Sequence, residues 1–266
     1  MFEEAYAEKI LKVKNYSNKF ITKIPFNTKI INVIKLMHER QVRNVFVEKD
    51  EKFIGIVTVK EIMRTIEKDP LIIFNEEIVN YAKNLEEISN EESIFKAAKI
   101  MYDKDIGILA VKENGKITAK VGERDLLLAI PHLDLKLRVM DMMTKDVEYV
   151  SPDNTILDSI VVMNKRKSRH VPVMENDKLI GMLSSRDILR LFSKCNNEEN
   201  VKEAINIKVR KEMNISPLTI DLYAYIKDAA NLMINKNIGA LPVLDVTKVV
   251  GIITERDMIK TLALRF

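Results

Sequence analysis

The chain has few of the residues from which secreted proteins and metal sites are built. Cys195 is the only cysteine in 266 residues, so an intramolecular disulfide is excluded and a reducing compartment is expected. The histidines His38, His132 and His170 are scattered, and no cysteine cluster joins them, so we expect no metal site. No apolar run approaches the roughly 18 residues that cross a bilayer, and the start, Met1–Ala5, is acidic where a signal peptide is basic. We therefore expect a cytoplasmic protein.

Recognisable catalytic motifs are also missing. The sequence has no Walker loop, no Gly-x-Ser-x-Gly turn and no pair of carboxylates at catalytic spacing. We therefore expect no enzymatic activity and no catalytic cofactor. The net charge of +4 is too small on this length to indicate nucleic-acid binding by itself, although a local basic patch matters more than the total.

What the sequence does have is one unit repeated four times in the same register. Each copy carries an isoleucine, a methionine seven residues later, an apolar strand segment and a turn of pattern Gly-h-x-Ser/Thr-x-x-Asp, where h is apolar. Copies 3 and 4 keep the whole pattern, whereas Glu61 ends the turn of copy 1, and Ala119 and Gly122 depart from it in copy 2. A unit held to one register is a structural module. The paired anchors are Ile30 and Met37, Ile94 and Met101, Ile156 and Met163, and Ile226 and Met233.

Periodicity within copy 3 predicts its first helix. Ile156, Ile160 and Met163 fall on one helical face, and Pro152 with Asp153 is expected to begin that helix. We expect the recurring methionines to be core residues rather than sulfur ligands.

The remaining segments of copy 3 predict strands and a second helix. A short strand over 147–150 precedes the first helix, and apolar runs at 170–174 and 179–183 predict a hairpin after it. A second helix is expected from Ser184. The order is therefore β-α-β-β-α, which places the chain in a mixed α/β (α+β) class.

Three segments lie outside these units. Residues 195–209 are polar and are predicted to be a solvated connection, whereas the apolar segment 68–82 is predicted to pack as structure. A helix is predicted over residues 2–12.

This order of elements resembles the cystathionine-β-synthase (CBS) domain over nearly the whole chain. The resemblance is carried by the methionine-bearing helix, by Val171-Pro172-Val173, and by the turns at 181–187 and 251–257. It implies four CBS repeats that pair in sequence order into two Bateman modules. The amino-terminal module is expected at 1–133, with repeats at about 13–68 and 77–130, and the carboxy-terminal module at 134–266, with repeats at about 139–193 and 209–264.

The Ser/Thr-x-x-Asp turn has two explanations. A hydroxyl residue at the N-cap and an acid at N3 resemble a capping box, which needs no ligand, and Thr58 to Glu61 fits this best. A basic residue at the second helical position is not explained in this way, because it is disfavoured there by about 0.3–1 kcal/mol. A nearby anion makes the basic residue favourable at this position. Backbone N–H groups at a helix start also suit phosphate. The basic residues are Lys60, Arg124, Arg186 and Arg256.

The family resemblance implies roles for individual residues. In CBS domains the aspartate commonly binds the ribose of an adenosine ligand, the hydroxyl residue binds ribose or phosphate, and nearby basic residues hold phosphates. We therefore expect the ligand mainly in the carboxy-terminal module. The residues implicated are Ser184, Arg186, Asp187, Thr254, Arg256 and Asp257, with Arg169 and His170 at the start of a strand. A second set, which matches the pattern less well, contains Arg124, Asp125, Thr58 and Arg43.

Two functional hypotheses follow. The first is a regulatory protein that binds an adenosine nucleotide (AMP, ADP or ATP) or S-adenosylmethionine and so senses the energy state of the cell. It is expected to signal to a partner through a ligand-dependent shift between conformations. The alternative is an RNA- or ribonucleoprotein-binding or scaffold protein with vestigial nucleotide sites, which the basic run Lys165–His170 favours. We expect no membrane partner, and either a monomer with intramolecular module pairing or a homodimer.

Overall fold

The computed structural model describes residues 11–265, so all but the last two residues of the predicted helix over 2–12 lie outside it. In copy 1 the elements are a strand at Lys23–Pro25, a helix at Ile30–Glu39, strands at Asn44–Lys49 and Lys52–Thr58, and a helix at Val59–Lys68. In copy 2 they are Glu87–Ser89, Ile94–Asp103, Ile108–Glu113, Lys116–Gly122 and Glu123–Leu127 in the same order. Copy 3 has a helix at Ile156–Lys165, strands at His170–Glu175 and Lys178–Ser184, and a helix at Ser185–Phe192. Copy 4 has a strand at Ile220–Asp221, a helix at Ile226–Lys236, strands at Ala240–Asp245 and Lys248–Thr254, and a helix at Glu255–Arg265.

Short helices connect the copies. In the part of the chain that the structure describes, none of the helices has the length and apolar character to cross a bilayer. The α-helix Val13–Tyr16 precedes copy 1. The connecting α-helices are Val139–Met142 and Glu198–Asn206, and the connecting 3-10 helices are Pro70–Phe74, Ile78–Tyr81, Ile130–His132 and Val209–Lys211.

Each copy builds its sheet in the same way. Its two long strands form an antiparallel hairpin, and a short segment before the first helix pairs in parallel with the first of them. The predicted hairpin of copy 3 is therefore confirmed. The matching hairpin pairs, each followed by a bulge, are Val47 with Gly55, Val111 with Ala119, Val173 with Gly181, and Val243 with Gly251.

The predicted strand over 147–150 is wrong, because only Val150 makes a bridge to the hairpin. In copy 1 the amide of Phe46 donates to the preceding segment at 2.9 Å and so extends the parallel pairing. The matching residue of copy 3 is Pro172, which has no N–H to donate. Copy 4 has Pro242 at this place and keeps a strand of two residues.

The first helix of copy 3 begins later than Pro152 and Asp153 predict. Its N-cap is Thr155, whose hydroxyl accepts from the amide of Asp158 at 3.1 Å, while the Asp158 carboxylate accepts from the amide of Thr155 at 2.7 Å. This reciprocal capping box satisfies two backbone donors that the helix itself leaves without partners.

The described chain divides into two compact units, each of which contains two copies that are not adjacent in sequence. The odd unit consists of copies 1 and 3, at Thr22–Asn84 and Glu148–Pro217. The even unit consists of copies 2 and 4, at Leu85–Val147 and from Leu218 onward, with residues up to Ile21. Each module predicted from sequence order contains one copy from each unit, and that pairing stays a prediction.

The odd unit is held together by helices packed across its two copies. The first helix of each copy packs on the second helix of the other, with Met37 and Met163 almost fully buried between them. Ile73, in the apolar segment after copy 1, is also buried, as predicted. The prediction that 195–209 is solvated is wrong, because the helix Glu198–Asn206 buries Val201 and Ala204 against the same core.

The even unit has its own core, built from the same positions. Met101 and Met233 are almost fully buried in it, which confirms the prediction that the recurring methionines are packing residues. The first helix of copy 2 packs on the second helix of copy 4. The second helix of copy 2 is short, and the 3-10 helix Ile130–His132 packs on the first helix of copy 4.

One hairpin turn carries an ill-suited residue. The first turn position has a left-handed backbone in all four copies, and in copy 4 it is Val246, with φ of 57° and a side chain that is 86% exposed. A β-branched residue is strained there, whereas asparagine tolerates this region. The other three residues at this position are Asp50, Asn114 and Asn176.

Replacing Val246 with Asn is therefore expected to raise the free energy of unfolding by about 1 kcal/mol, because the strain is relieved and little packing is lost. Urea unfolding of the variant measures the change. The matched control is Asn176→Val, which should lower the free energy of unfolding by a similar amount. Equal stability of all three proteins would contradict the account.

Candidate functional site

All four helix-start turns use the acid as a cap. In each copy the backbone amide of the N-cap residue donates to the carboxylate three residues later. The acid of every turn therefore caps the helix, as the capping explanation predicts. The distances are 3.1 Å from Thr58 to Glu61, 2.7 Å from Gly122 to Asp125, 2.9 Å from Ser184 to Asp187, and 2.7 Å from Thr254 to Asp257.

In copies 3 and 4 the hydroxyl of the N-cap residue donates to the same carboxylate oxygen as the amide. The Ser184 hydroxyl lies 2.6 Å from Oδ2 of Asp187, and the Thr254 hydroxyl lies 2.7 Å from Oδ2 of Asp257. Capping therefore occupies Oδ2 and leaves Oδ1 for another contact. In copy 1 the hydroxyl of Thr58 forms the same bond with Glu61.

The second oxygen is held by looser contacts to side chains. Oδ1 of Asp257 accepts from the hydroxyl of Thr144 at 3.3 Å. Oδ1 of Asp187 lies 3.4 Å from the guanidinium of Arg190, which also bonds Glu212 at 3.2 Å. Thr144 and Glu212 belong to segments that connect copies, so each acid is linked to a connecting segment of its own unit.

The glycine of the repeated motif admits that connecting segment. Thr144 bridges the strand of copy 4 at Ile252, directly beside Gly251. A Cβ added to Gly251 would lie 2.5 Å from the sulfur of Met143 and 3.0 Å from the carbonyl oxygen of Thr144. Gly181 meets the segment before copy 4 in the same way. The motif glycine thus has a structural role, and it brings Thr144 to the turn.

The basic residues of the even unit already have anionic partners. Arg256 forms an ion pair with Asp105, at the end of the first helix of copy 2. Arg124 donates to carbonyls at the carboxyl end of the first helix of copy 4, at 2.7 and 2.9 Å, and to Glu255 at 3.0 Å. Cations are favoured at that end of a helix. The sequence analysis expected an anion near each basic residue at the second helical position. In the even unit the protein's own carboxylates, Asp105 and Glu255, take that place.

The odd unit places different residues around the corresponding basic side chain. Arg186 lines a shallow pocket with Met37, His38 and Gln41, at the end of the first helix of copy 1. Gln41 occupies the position that Asp105 has in copy 2, so the carboxylate that pairs with an arginine in the even unit is replaced here by a neutral amide.

The residue before each hairpin explains why odd and even copies differ. Its carbonyl accepts from the first amide of the second helix, as Arg169 does from Ser185 at 2.8 Å. A Cβ added to Gly107 would lie 3.2 Å from the carboxyl carbon of Glu123, the first residue of that helix in copy 2. Gly107 therefore leaves room for Glu123 in copy 2.

The sequence analysis missed the glutamates that accompany these glycines. Gly107 and Gly239 occur in the copies whose second helix begins with Glu123 and Glu255, whereas the arginine-bearing copies begin that helix with valine or serine. Comparing the four copies position by position would have revealed this covariation. Thr144 has no comparable signal, because only the fold brings it to Asp257.

The basic run in copy 3 is partly neutralised. Lys165 and Arg166 lie 2.7 and 3.0 Å from Glu148, and the hydrogen bond from Lys165 is the main cause that lowers the pKa of Glu148. His170 is half-buried at the start of its strand, where its carbonyl accepts from the hydroxyl of Ser168 at 2.8 Å. The charge available to an RNA phosphate is therefore smaller than the sequence indicates.

Comparison with known proteins identifies the family. The CBS domain model matches residues 13–68, 77–132, 139–194 and 198–264. The chain belongs to the CBS-domain family. The four CBS repeats and their mixed α+β fold are thus confirmed, and the fourth match begins at residue 198 rather than near 209.

Two archaeal proteins match this chain over nearly its whole length. The uncharacterized protein MJ1225 of Methanocaldococcus jannaschii is 26% identical over 275 residues, which span 94% of this chain and 98% of that one. The crystal structure of MJ1225, described as a candidate archaeal homologue of γ-AMPK, has a TM-score of 0.83 at 24% identity and covers 95% of this chain and 100% of that one. An uncharacterized conserved protein from Pyrococcus horikoshii has a TM-score of 0.66 at 19% identity, over 94% and 99% of the two chains. These structural likenesses show the fold.

Removing the charge of Arg124 is expected to destabilise the protein. The Glu255 side chain is 1% exposed, so Arg124→Gln removes a cation from a buried carboxylate and is expected to lower the free energy of unfolding by about 3 kcal/mol. The double variant Arg124→Gln/Glu255→Gln should lose less, because neither charge remains. Urea unfolding of both distinguishes them, and a double variant that is less stable than the single one would contradict this assignment.

The titration of Asp257 is expected to respond to Thr144. Burial raises the pKa of the Asp257 carboxyl above its ordinary 3.8, while hydrogen bonds from Thr254 and Thr144 and the charge of Lys260 oppose that rise. Thr144→Val should therefore raise the pKa further, as measured by carboxyl carbon NMR. The folded protein therefore protonates Asp257 at a higher pH than the unfolded chain does. As pH falls through the pKa of the folded state towards 3.8, this protonation raises the free energy of unfolding. An unchanged or lower pKa in Thr144→Val would contradict the contact.

Proposed function

We propose that this CBS-domain protein is a regulator that binds adenosyl ligands at the turns of copies 3 and 4 and signals to a partner protein. The observation that carries the proposal is that the two carboxylate oxygens of each aspartate make different contacts. Capping uses Oδ2 of Asp187 and Asp257, whereas the contacts of Oδ1 with described side chains are long, at 3.4 Å for Asp187 and 3.3 Å for Asp257.

A ribose diol suits such a carboxylate. Its hydroxyls donate hydrogen bonds, and bonds to an ionised acceptor are stronger than those between neutral groups. Because capping holds each aspartate in place, little side-chain freedom is lost when the ligand binds. The hydroxyls of Ser184 and Thr254 lie on the capping side of the carboxylates and keep them oriented.

The same contacts provide a route for the signal. A ribose hydroxyl at Oδ1 of Asp257 replaces the hydroxyl of Thr144, and one at Asp187 competes with Arg190 and, through it, with Glu212. Ligand binding thus changes the restraint on segments that connect copies. The resulting shift is limited by the difference in the ligand's affinity for the two arrangements.

The RNA-binding alternative receives less support. Its basis is the basic run that begins at Lys165, where two cations already pair with Glu148. An RNA site would need several phosphate contacts to bind tightly at physiological salt.

Titration calorimetry of nucleotide-free protein with AMP, ADP, ATP and S-adenosylmethionine tests the proposal. We expect binding of at least one ligand, and the double variant Asp187→Asn/Asp257→Asn should weaken it at least about tenfold, because a charged acceptor is lost. Asparagine keeps an oxygen for the cap, so the fold should be preserved. Asp158→Asn is the matched control, since Asp158 caps a helix in the same manner away from the turns.

Two results would contradict the proposal. One is the absence of binding to the unmodified protein. The other is equal affinity in the double variant and in the Asp158→Asn control, which would place the ligand elsewhere.

A further inference from the structure

We propose that Met143 and Met213 are modification sites, and that their oxidation by a peroxide releases the connecting segments that carry them. Met143 lies in the segment that precedes copy 3 and contacts copy 4, whereas Met213 lies in the segment that precedes copy 4 and contacts copy 3. Release of these segments needs no ligand, so it goes beyond the proposed function and is tested without it.

In each of the four copies a segment from outside the repeat is bridged to the second hairpin strand by two backbone hydrogen bonds. Thr144 and Ile252 exchange two such bonds, both at 2.9 Å. Asn214 and Met182 exchange two bonds at 2.8 and 3.0 Å. The four bridges are therefore equivalent in backbone structure. The other two join Asn18 with Lys120 and Lys83 with Ile56.

The residue before the bridge differs among the copies. The sulfur of Met143 lies 2.5 Å from the place that a Cβ on Gly251 would take, and the sulfur of Met213 lies 2.6 Å from the place of a Cβ on Gly181. Each thioether therefore fills the gap that the motif glycine leaves in the strand. The matching residues at the bridges of copies 1 and 2 are Ala82 and Ser17, which have no sulfur.

A peroxide reaches these two sulfurs more easily than those of the core. Met143 and Met213 are partly exposed, although their sulfurs contact the strands. The recurring methionines of the first helices are at most 1% exposed and are therefore shielded from an oxidant in solution. Because exposure favours oxidation, we expect Met143 and Met213 to form sulfoxide before the core methionines do.

The modification adds one oxygen atom to the sulfur. A lone pair of the thioether attacks one oxygen of hydrogen peroxide, the O–O bond breaks and an S–O bond forms. The sulfur loses two electrons and the peroxide gains them. The proton of the transferred oxygen passes to the departing oxygen, which leaves as water. The product is a sulfoxide, which is larger and more polar than the thioether.

The sulfoxide does not suit the gap beside the motif glycine. The carbonyl oxygen of Thr144 lies 3.0 Å from the Cβ place at Gly251, and that of Asn214 lies 3.0 Å from the Cβ place at Gly181. An added sulfoxide oxygen accepts hydrogen bonds, as these carbonyl oxygens do, so it is repelled by them. We therefore expect the oxidised side chain to turn out to solvent, which removes the packing beside the bridge.

Release would also change the surroundings of both motif aspartates. On one segment the hydroxyl of Thr144 donates to Oδ1 of Asp257 at 3.3 Å. On the other, Glu212 pairs with Arg190, which lies 3.4 Å from Oδ1 of Asp187. Oxidation thus acts on the contacts of the same carboxylate oxygens that we propose to bind ribose.

Amide hydrogen exchange on the full chain, before and after treatment with hydrogen peroxide, tests the proposal. The amides of the two bridges beside sulfur should exchange at least about tenfold faster after oxidation, because these bridges open more often. The amides of the other two bridges should be unchanged. Peptide mass spectrometry measures sulfoxide at each methionine, and the treatment stops while Met163 is still reduced. The amides expected to respond are those of Thr144, Ile252, Asn214 and Met182.

Leucine variants identify the sulfur responsible. Met143→Leu should abolish the acceleration at Thr144 and Met213→Leu that at Asn214, because leucine is apolar, similar in volume and not oxidised to a sulfoxide. Each variant is compared with itself before oxidation, so a change in its starting exchange rate does not affect the result. Met140→Leu is the matched control, since Met140 is exposed on the same segment as Met143, and this variant should respond as the unmodified protein does.

Four results would overturn the proposal. They are oxidation of Met143 and Met213 no faster than that of Met163, unchanged exchange in the oxidised protein, equal acceleration of all four bridges, and acceleration that persists in the leucine variants. None of these measurements involves an adenosyl ligand. Failure here therefore leaves the proposed function standing, and failure of ligand binding leaves the oxidation sites standing.

Discussion

The structure depends on a backbone amide that donates to a carboxylate three residues later, at the end of the third strand of every copy. This bond starts the second helix, and the second helices pack across copies within each compact unit. It also fixes the carboxylate that we propose to be the ribose acceptor. Folding and binding therefore share one group, and the capping explanation and the ligand explanation do not exclude each other.

The two units show how one backbone register supports two charge patterns. In the even unit the strand-start residue is glycine and the second helix begins with a glutamate. Of these glutamates, Glu255 is buried and forms an ion pair with Arg124. Where the strand-start residue is arginine, the second helix begins with the apolar Val59 or the small Ser185 instead of an acid. The covariation is steric in origin, because a Cβ at Gly107 crowds the carboxylate of Glu123.

Much of the fold could be predicted from sequence, because hydrophobic periodicity and the four-fold register report local structure directly. The hairpin and the two helices of each copy follow from this periodicity, as do the buried methionines such as Met163. The strand over 147–150 was wrongly predicted because Pro172, which pairs with this segment, has no N–H to donate to it. The ion pairs of Arg124 and Arg256 could not be predicted, because their partners lie more than a hundred residues away and only the packing of copies brings them together.

The central claim is that the carboxylates of copies 3 and 4 hold a ribose diol. The most direct measurement compares, by calorimetry on the unmodified protein, the affinity for the best-bound adenosyl ligand with that for its 2′-deoxy analogue. The account predicts that the deoxy analogue binds at least about tenfold more weakly, because one hydrogen bond to a charged acceptor is lost. Equal affinities would contradict it.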